Sequence, residues 1–452
     1  MAISEKERPA RLRPARVPGR PRSHVGARRS ARHLALLVPI LCASLLGSGC
    51  DGSTPPLPEI GPSARSADEL SWPRRFAIDR VLDYRVWSGA RSGFVALIAR
   101  NGRIVHARTT GFANVESRTP MQLDTRFHIA SMTKPITAVA AMILIEEGRL
   151  SLEDPVSRYL PAFASLAVAL DPSDRRPDAT RPLDTPLRVR HLITLQSGIG
   201  GYAETDDAFD RAWRSPDIEA PALGSLADRV ALVPRLPLYE APGVRWRYGW
   251  SFDVLARVVE VASGRAFDAF LEERIFEPLG MDSTGYPDAL PPDVRLATLY
   301  THDASGALIP ETRLAPIYGR GWTSGGGGLV STAPDYMRFA LMLAGGGILD
   351  GVRILEPETV AEMTRLQVPS GVLEDMGIEG LGWGLGVSVV ADGEAAIMPA
   401  NTGDSWWSGR FGTHFWISPA KRTVVVVMQS TEPGPHTDRP ITSALVQALA
   451  ME

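Results

Sequence analysis

SMTKP, at residues 131–135, is the stretch of this 452-residue sequence on which its interpretation depends. The chain contains 48 Lys+Arg, but only three of these are lysines, Lys6, Lys134 and Lys421. Pro135 is tolerated in a helix only near its N-terminus, so the stretch predicts a helix that begins close to Ser131. Side chains three residues apart share one face of a helix, which places Ser131 beside Lys134.

A serine next to a lysine suits nucleophilic catalysis. A serine hydroxyl is a weak nucleophile until a base takes its proton. Arginine stays protonated, whereas a desolvated lysine can release its proton at neutral pH, which explains a lysine at position 134 of an arginine-rich chain. The Ser-x-x-Lys spacing alone does not establish catalysis, because a surface lysine beside a helix-capping serine would have the same spacing. Ser418 and Lys421 repeat the spacing within a predicted turn between two strands.

Composition narrows the possible functions. The chain is 44% hydrophobic and 22% charged, as expected for a globular protein with a sizeable core. Its formal charge is −3, but residues 1–49 carry ten basic and two acidic residues, which leaves −11 for the remainder. A body this acidic argues against binding to nucleic acid, since phosphate neutralisation needs a basic face.

The N-terminus has the pattern of an export signal. Basic residues precede a short apolar run at residues 34–46, which is too short to predict a membrane-spanning helix. The run ends in GSGC, so we interpret residues 1–50 as a signal peptide that ends at a lipidation site, Cys50. The alternative is a cleaved, soluble exported protein. Either reading places the protein in the periplasm or cell envelope, and the Pro/Ser-rich residues 51–72 are predicted to be a linker.

The positions of the two cysteines exclude cysteine-based chemistry in the body of the chain. Cys42 lies inside the apolar run and Cys50 at its end, so the body that follows has no cysteine for a disulfide, a nucleophile or a metal site.

Strand and helix patterns predict an α/β (α+β) protein. Asn101-Gly102 between two apolar segments is a strong hairpin signal, and residues 131–147 form a helix that is apolar nearly all round and therefore buried. Prolines and helical patterns dominate the middle of the chain, and strands return near its end. We therefore predict a sheet domain from residues 73–149 and 296–452, interrupted by a mostly helical domain at 150–295. The remaining expected elements are helices at 188–196, 251–263, 266–277 and 439–450 and strands at 382–390, 406–417 and 422–430.

The residues around the serine resemble a known group of enzymes. FHIASMTKPITAVAAMILIEEGRLSLEDPV, HLITLQSGI, YGWSFDVLARVVEVASGRAFDAFLEERIFEPLGM and GGGGLVSTAPDYMRF are similar to segments of the serine β-lactamase and penicillin-binding superfamily. The resemblance covers most of residues 75–450 and is greatest for the class C branch and the related family VIII carboxylesterases. It implies a β-lactamase-like fold, an antiparallel sheet flanked by helices with a mostly helical second region.

The resemblance also assigns roles to residues. It implies that Ser131 is the nucleophile and Lys134 its base, and that Tyr248, in RYGWS, shares proton transfer with Lys134 and reaches the leaving group. The asparagine that usually stands two positions after this tyrosine is replaced by Trp250, as family VIII esterases also lose it.

The third motif of these enzymes departs further. Trp407-Ser408-Gly409 stands where β-lactamases have Lys-Thr-Gly and resembles the Trp-x-Gly of the esterases. By that match the amides of Ser131 and Arg410 would form an oxyanion hole. Loss of the motif lysine favours neutral esters over β-lactams, although the Arg410 guanidinium could also bind a carboxylate.

Other catalytic patterns are absent from the sequence. It has no Gly-x-Ser-x-Gly elbow and no His-x-x-x-His zinc pair. His128 is interpreted as a strand-end residue rather than a base. SGGGG at 324–328 lacks the Lys-Ser/Thr of a phosphate loop and predicts a stretch where backbones pass closely. No metal or cofactor is implied.

We therefore expect an exported serine hydrolase that cleaves small carboxylic esters through an acyl-enzyme. A β-lactamase or D-amino-acid peptidase is the alternative within enzymes. A catalytically idle protein that binds cell-wall peptide or acts as a scaffold is the alternative outside them.

Overall fold

A computed structural model describes residues 69–171, 176–201, 208–214, 218, 223–289, 295–312, 322–369, 379–396, 399–432 and 441–451. All of these belong to one compact unit, Ile60–Glu452. The predicted signal peptide, the predicted lipidation site Cys50 and nearly all of the predicted linker lie outside the described residues.

Short strands and helices alternate along the described chain. The strands are β1 (Gly93–Arg100), β2 (Arg103–Asn114), β3 (Thr119–Pro120), β4 (Phe127–His128), β5 (Ala167–Ala169), β6 (Thr180–Pro182), β7 (Tyr300–His302), β8 (Leu308–Pro310), β9 (Val330–Ser331), β10 (Ile348–Leu349), β11 (Val352–Arg353), β12 (Leu381–Trp383), β13 (Ser388–Val390), β14 (Ser405–Ser408), β15 (His414–Ser418) and β16 (Thr423–Met428). The α-helices are α1 (Trp72–Trp87), α2 (Thr133–Glu146), α3 (Val189–Ile193), α4 (Ala208–Arg214), α5 (Leu226–Val230), α6 (Ser251–Ser263), α7 (Phe267–Leu271), α8 (Glu277–Leu279), α9 (Ala333–Ala344), α10 (Pro357–Thr364) and α11 (Ile441–Met451).

The main sheet joins the two ends of the described chain. Its eight strands run in the order β12-β13-β14-β15-β16-β1-β2-β3, and each neighbouring pair is antiparallel. Strand β1 pairs with β16 from Val95↔Met428 to Arg100↔Thr423. The predicted hairpin follows β1, where Asn101 and Gly102 have φ values of 49° and 77°. Two such left-handed residues form the turn whose twist matches paired strands.

Helices cover both faces of the central strands. Every residue of β16 is buried, and successive side chains of a strand point to opposite faces. Helix α9 packs against β1, β15 and β16, while α11 packs against β16 and α1. The sheet core is therefore closed from both sides, which confirms the expected antiparallel sheet flanked by helices.

Helix α2 is the buried helix that the sequence predicts. Its residues from Thr133 to Leu144 are all buried, and a 3₁₀ turn, Ala130–Met132, leads into it. The Tyr336 hydroxyl of α9 donates to the Met132 carbonyl at 2.9 Å. This hydrogen bond connects the start of α2 to α9, the helix that packs against the sheet.

Some predicted elements differ in their bounds. The strand expected at 382–390 is two strands, β12 and β13, because the glycine-rich segment between them turns, with Gly386 at a φ of 88°. The strand expected at 406–417 is likewise the hairpin β14–β15. The helix expected at 266–277 contains a π-helical segment, Glu272–Phe276, between α7 and α8.

The middle of the chain carries α3 to α8 and the small β5–β6 pair. Its division from the sheet region into a separate domain stays a prediction. None of the helices in the described part of the chain combines the length and the apolar character needed to cross a bilayer.

Candidate active site

Ser131 lies at the start of α2, directly after a residue with an unusual backbone conformation. It lies in the 3₁₀ turn just before the helix, and the preceding residue, Ala130, has a φ of 44°. A left-handed conformation costs a residue with a side chain about 1–2 kcal/mol, so the surrounding structure must hold it in place. Ser131 is half-buried, whereas its neighbours Ala130 and Met132 are buried. The turn therefore leaves the serine partly accessible above a buried helix.

Lys134 and Tyr248 both contact the oxygen of Ser131. The Tyr248 hydroxyl donates to Ser131 Oγ at 2.6 Å, and Lys134 Nζ lies 3.2 Å from the same oxygen. Lys134 Nζ is also 4.4 Å from the centroid of the Tyr248 ring. The three side chains thus form a closed triangle, although 117 positions separate Tyr248 from Ser131. Their catalytic roles remain predictions.

The amine of Lys134 is held from a second side. Its residue is fully buried, and Nζ donates to the carbonyl of Gly326 at 2.7 Å. Glycine is needed there, because a Cβ on Gly326 would lie 2.6 Å from Asp253 Oδ2 and 3.7 Å from Lys134 Nζ. This is the close backbone approach expected of the SGGGG stretch.

Asp253, Ser324 and Gly326 form a buried group behind Lys134 that the sequence did not reveal. The Ser324 hydroxyl donates to Asp253 Oδ1 at 2.7 Å and accepts from the Gly326 amide at 3.2 Å. Burial raises the pKa of Asp253 to about 6, while the hydrogen bond from Ser324 and the charge of Lys134 oppose that rise. Asp253 can therefore change its charge beside Lys134 near neutral pH.

Helix α6 positions Tyr248 and Asp253 relative to each other. Asp253 lies in its first turn, and Tyr248 lies just before its start. The Trp250 amide donates to the Gly200 carbonyl at 3.0 Å, and a Cβ on Gly249 would lie 2.3 Å from that oxygen. Helix α6 packs on α2, the helix that follows Ser131. The close backbone contact between Gly200 and Gly249 therefore holds Tyr248 near Ser131.

Trp250 does not offer a polar group in place of the missing asparagine. Its ring stacks on Trp322 at 5.1 Å between centroids, and the Gly201 backbone lies against its edge. The Arg229 guanidinium lies over the ring of Trp322, 4.6 Å from the centroid of that ring. The position is therefore occupied by a packed aromatic stack.

Trp407 belongs to an aromatic wall beside Tyr248, made of Trp246, Tyr248, Trp383 and Trp407. The Trp407 ring lies 6.0 Å from Tyr248 and 4.6 Å from Trp383, and Trp246 lies 5.8 Å from Tyr248. Tyr248 and Trp407 are half-buried, while Trp246 and Trp383 are buried. The wall therefore both fixes the phenol and presents an apolar surface next to it.

Gly409 brings the end of β14 against the backbone before the serine. A Cβ there would lie 2.3 Å from the Ile129 carbonyl and 2.2 Å from Thr413 Oγ1, so only glycine fits. The Gly409 amide donates to the Thr413 carbonyl at 2.8 Å. The oxyanion role of the Ser131 and Arg410 amides stays a prediction.

The Arg410 side chain is engaged within the protein. Its Nε and Nη2 both lie 2.8 Å from Glu432 Oε1. Binding of a substrate carboxylate by Arg410 would have to compete with this pair.

Two other candidates lie where the sequence interpretation placed them. His128 ends β4 and is buried, and burial lowers its pKa to about 4, so the ring is neutral at pH 7. Ser418 ends β15, and Lys421 is exposed in the turn before β16, so the second Ser-x-x-Lys pair does not sit on a helix. Within the described ranges, no group of His, Cys, Asp and Glu is arranged to hold a metal ion.

Comparison with known proteins identifies the family of this chain. Residues 78–450 match the family model described as Beta-lactamase. The chain belongs to the beta-lactamase family. This membership confirms the expected superfamily, the β-lactamase-like fold and the class of enzyme, a serine hydrolase.

Individual relatives of this beta-lactamase-family chain cover nearly its whole body. Esterase EstB of Burkholderia gladioli is 32% identical over 394 residues, which are 82% of this chain and 94% of EstB. Protein Rv1367c of Mycobacterium tuberculosis is 33% identical over 351 residues, 75% of this chain and 86% of that protein. Among solved structures, EstCE1, described as a hydrolase with promiscuous acyltransferase activity, superposes with a TM-score of 0.72 at 27% identity and covers 84% of this chain and 98% of its own.

Proposed function

We propose that the protein is an exported carboxylesterase that acts through an acyl-enzyme. The observation that carries this proposal is the convergence of Tyr248 at 2.6 Å and Lys134 at 3.2 Å on the Ser131 oxygen. The kinship with an esterase and with a hydrolase over nearly their full lengths supports ester cleavage.

The first half of the reaction forms the acyl-enzyme. Lys134, with Tyr248, takes the Ser131 proton, and Ser131 Oγ attacks the ester carbonyl. The amides of Ser131 and Arg410 hold the oxyanion that develops. When the bond to the alcohol breaks, Tyr248 returns a proton to the departing oxygen, and the acyl group remains on Ser131.

The second half repeats these steps with water. A water molecule gives its proton to the same pair and attacks the acyl-enzyme carbonyl. The carboxylic acid leaves and Ser131 regains its proton, so no atom or charge is left on the protein.

An uncharged, compact ester suits the surroundings of Ser131. Trp407 stands where β-lactamases place a lysine, and the guanidinium of Arg410 is paired with Glu432. The aromatic wall offers apolar contact to an acyl or alcohol group.

Hydrolysis of p-nitrophenyl butyrate by the Ser131→Ala variant tests the proposal. We expect turnover to fall by at least about 10³-fold, since the covalent route is lost. Ser418→Ala, which removes the serine of the other Ser-x-x-Lys pair, is the matched control and should keep wild-type turnover. Wild-type turnover in Ser131→Ala would remove this serine from the mechanism.

Two further assays separate the alternatives. Nitrocefin and D-Ala peptides assayed beside the ester distinguish a β-lactamase or D-amino-acid peptidase, and we expect the ester to be turned over fastest. A fluorophosphonate probe should label Ser131. A folded protein that resists the probe would favour a catalytically idle binding protein.

Export and lipid attachment are part of the proposal. Basic residues, the apolar run at 34–46 and Cys50 in GSGC support them. Mass spectrometry of the protein from a bacterial envelope should find a lipid on Cys50 in wild type and in Cys42→Ser, but none in Cys50→Ser. An unmodified Cys50 in envelope-bound protein would contradict lipid attachment.

A further inference from the structure

Helix α1 presents an aromatic stripe to solvent. The stripe consists of Trp72, Phe76, Tyr84 and Trp87, with relative exposures of 67%, 39%, 51% and 82%. These are all of the exposed large hydrophobic residues of the described chain that carry an aromatic ring. They recur with helical spacing along one side of a 16-residue helix, about 24 Å long.

The side of α1 opposite the stripe packs against the rest of the fold. Ile78 and Leu82 are buried, and α1 packs against β2 and α11. From β2, His106 and Arg108 pair with the aspartates Asp79 and Asp83 of the helix at 3.0 and 2.7 Å. The contacts that hold α1 in the fold therefore do not use the stripe residues. Packing within the fold does not explain why these aromatic residues are exposed.

The stripe is organised rather than scattered. The rings of Trp72 and Phe76 stack at 5.3 Å, and those of Tyr84 and Trp87 lie 5.9 Å apart. Arg80, the exposed residue between the two pairs, lies 5.5 Å from the Phe76 ring centroid. The Arg80 guanidinium also pairs with Asp83 at 2.5 Å, so paired rings and an ion pair form one continuous amphipathic surface.

Charge distinguishes this helix from the rest of the protein. Its sequence has four arginines and two aspartates, a formal charge of +2, whereas the chain beyond residue 49 carries −11. Trp and Tyr favour the membrane–water interface, and arginines at the membrane surface are attracted to anionic lipid headgroups. The stripe combines aromatic rings with one exposed arginine, Arg80, on an otherwise acidic body.

We propose that the stripe of α1 lies in the headgroup region of an anionic phospholipid bilayer. The rings enter the interface, and Arg80, the exposed arginine of the stripe, which also pairs with Asp83, contacts the headgroups. The helix starts 22 residues after Cys50, and a chain of that length can span at most about 75 Å. A lipid on Cys50 would therefore hold the stripe within reach of the same membrane, and the helix would set the orientation of the catalytic body.

Tryptophan emission tests this placement in the full chain. The first tryptophan of the sequence is Trp72, so residues 1–71 add no indole signal even where they bind lipid. The difference in emission between wild type and Trp72→Phe/Trp87→Phe isolates the two stripe indoles. With vesicles of phosphatidylcholine and about 30% phosphatidylglycerol, brominated in their acyl chains, we expect at least twofold quenching of this difference emission.

Each outcome decides the proposal. Difference emission that brominated vesicles leave unchanged, while the chain sediments with them, would overturn it. A dimer in sedimentation velocity that Trp72→Ser/Trp87→Ser dissociates would assign the stripe to a second copy of the chain and also overturn it. Val244→Ser is the matched control, because Val244 is 70% exposed outside α1, and it should change neither quenching nor sedimentation.

Discussion

The amine of Lys134 lies 4.4 Å from the centroid of the Tyr248 ring, and both side chains reach the Ser131 oxygen. A buried amine and a phenol in contact with one hydroxyl can pass a proton between three atoms without solvent. The Gly326 carbonyl, 2.7 Å from Lys134 Nζ, keeps the amine in that place. The geometry makes each member of the triangle separately testable.

Lys134→Arg should strongly slow ester hydrolysis without unfolding the protein. Arginine keeps a positive charge but cannot accept a proton, so we expect kcat to fall by about 10²–10⁴-fold. Turnover of p-nitrophenyl butyrate, with circular dichroism to verify folding, measures this. Lys421→Arg is the matched control in an exposed turn and should behave as wild type. Equal activity in the two variants would show that proton transfer does not pass through Lys134.

Tyr248→Phe should slow the reaction while leaving the aromatic wall in place. The variant keeps the ring contacts to Trp246 and Trp407 and loses only the 2.6 Å hydrogen bond to Ser131. We expect a fall in kcat of about 10²-fold or more with a smaller change in KM, because the phenol acts on the transferred proton. Tyr84→Phe, on the exposed side of α1, serves as control. A change in kcat below about threefold would argue against the proposed role of the phenol.

The local part of the site could be predicted from sequence. Ser131 and Lys134 are three residues apart at a helix start, so helix geometry alone places them together. The Asn101-Gly102 hairpin was predictable for the same reason, because two adjacent residues determine the turn. Tyr248 needed the family resemblance, since nothing local connects it to Ser131.

The group behind Lys134 could not be predicted, because it depends on distant segments. Gly326 follows Lys134 by 192 positions, and Asp253 precedes Ser324 by 71. An acidic residue early in an amphipathic helix reads as a favourable dipole partner, and nothing in α6 shows that Asp253 is buried. The Gly-rich stretch signalled a close approach but not its partner.

Asp253→Asn should change the pH dependence of the reaction. The pKa of Asp253 is raised by burial to about 6, so the carboxyl gains its charge as the pH rises through that value. A negative charge beside Lys134 stabilises the proton that the amine takes up in the transition state. We therefore expect kcat of wild type to rise between pH 5 and 7, and the variant to lose this rise and to be about tenfold slower at pH 7.5.

The control for Asp253→Asn is another buried carboxyl. Burial also raises the pKa of Asp335, which accepts from the Ser283 amide at 2.8 Å and from Thr284 Oγ1 at 2.9 Å. Asp335→Asn should keep the wild-type pH profile of kcat. An unaltered profile in Asp253→Asn would show that the carboxyl has only a structural role.

His414→Asn should make the protein less sensitive to acid. Burial lowers the pKa of His414 to about 3, while an unfolded histidine titrates near 6.5. The unfolded state therefore binds the extra proton between these values, so stability is complete above pH 6.5 and is lost as the pH falls toward 3. At pH 5 this linkage costs about 2 kcal/mol. Urea unfolding at pH 7.5 and 5 should show a loss about 2 kcal/mol larger in wild type than in the variant, and comparing the two cancels every other titrating group. Equal losses would mean that His414 takes up its proton as readily in the folded protein as in the unfolded one.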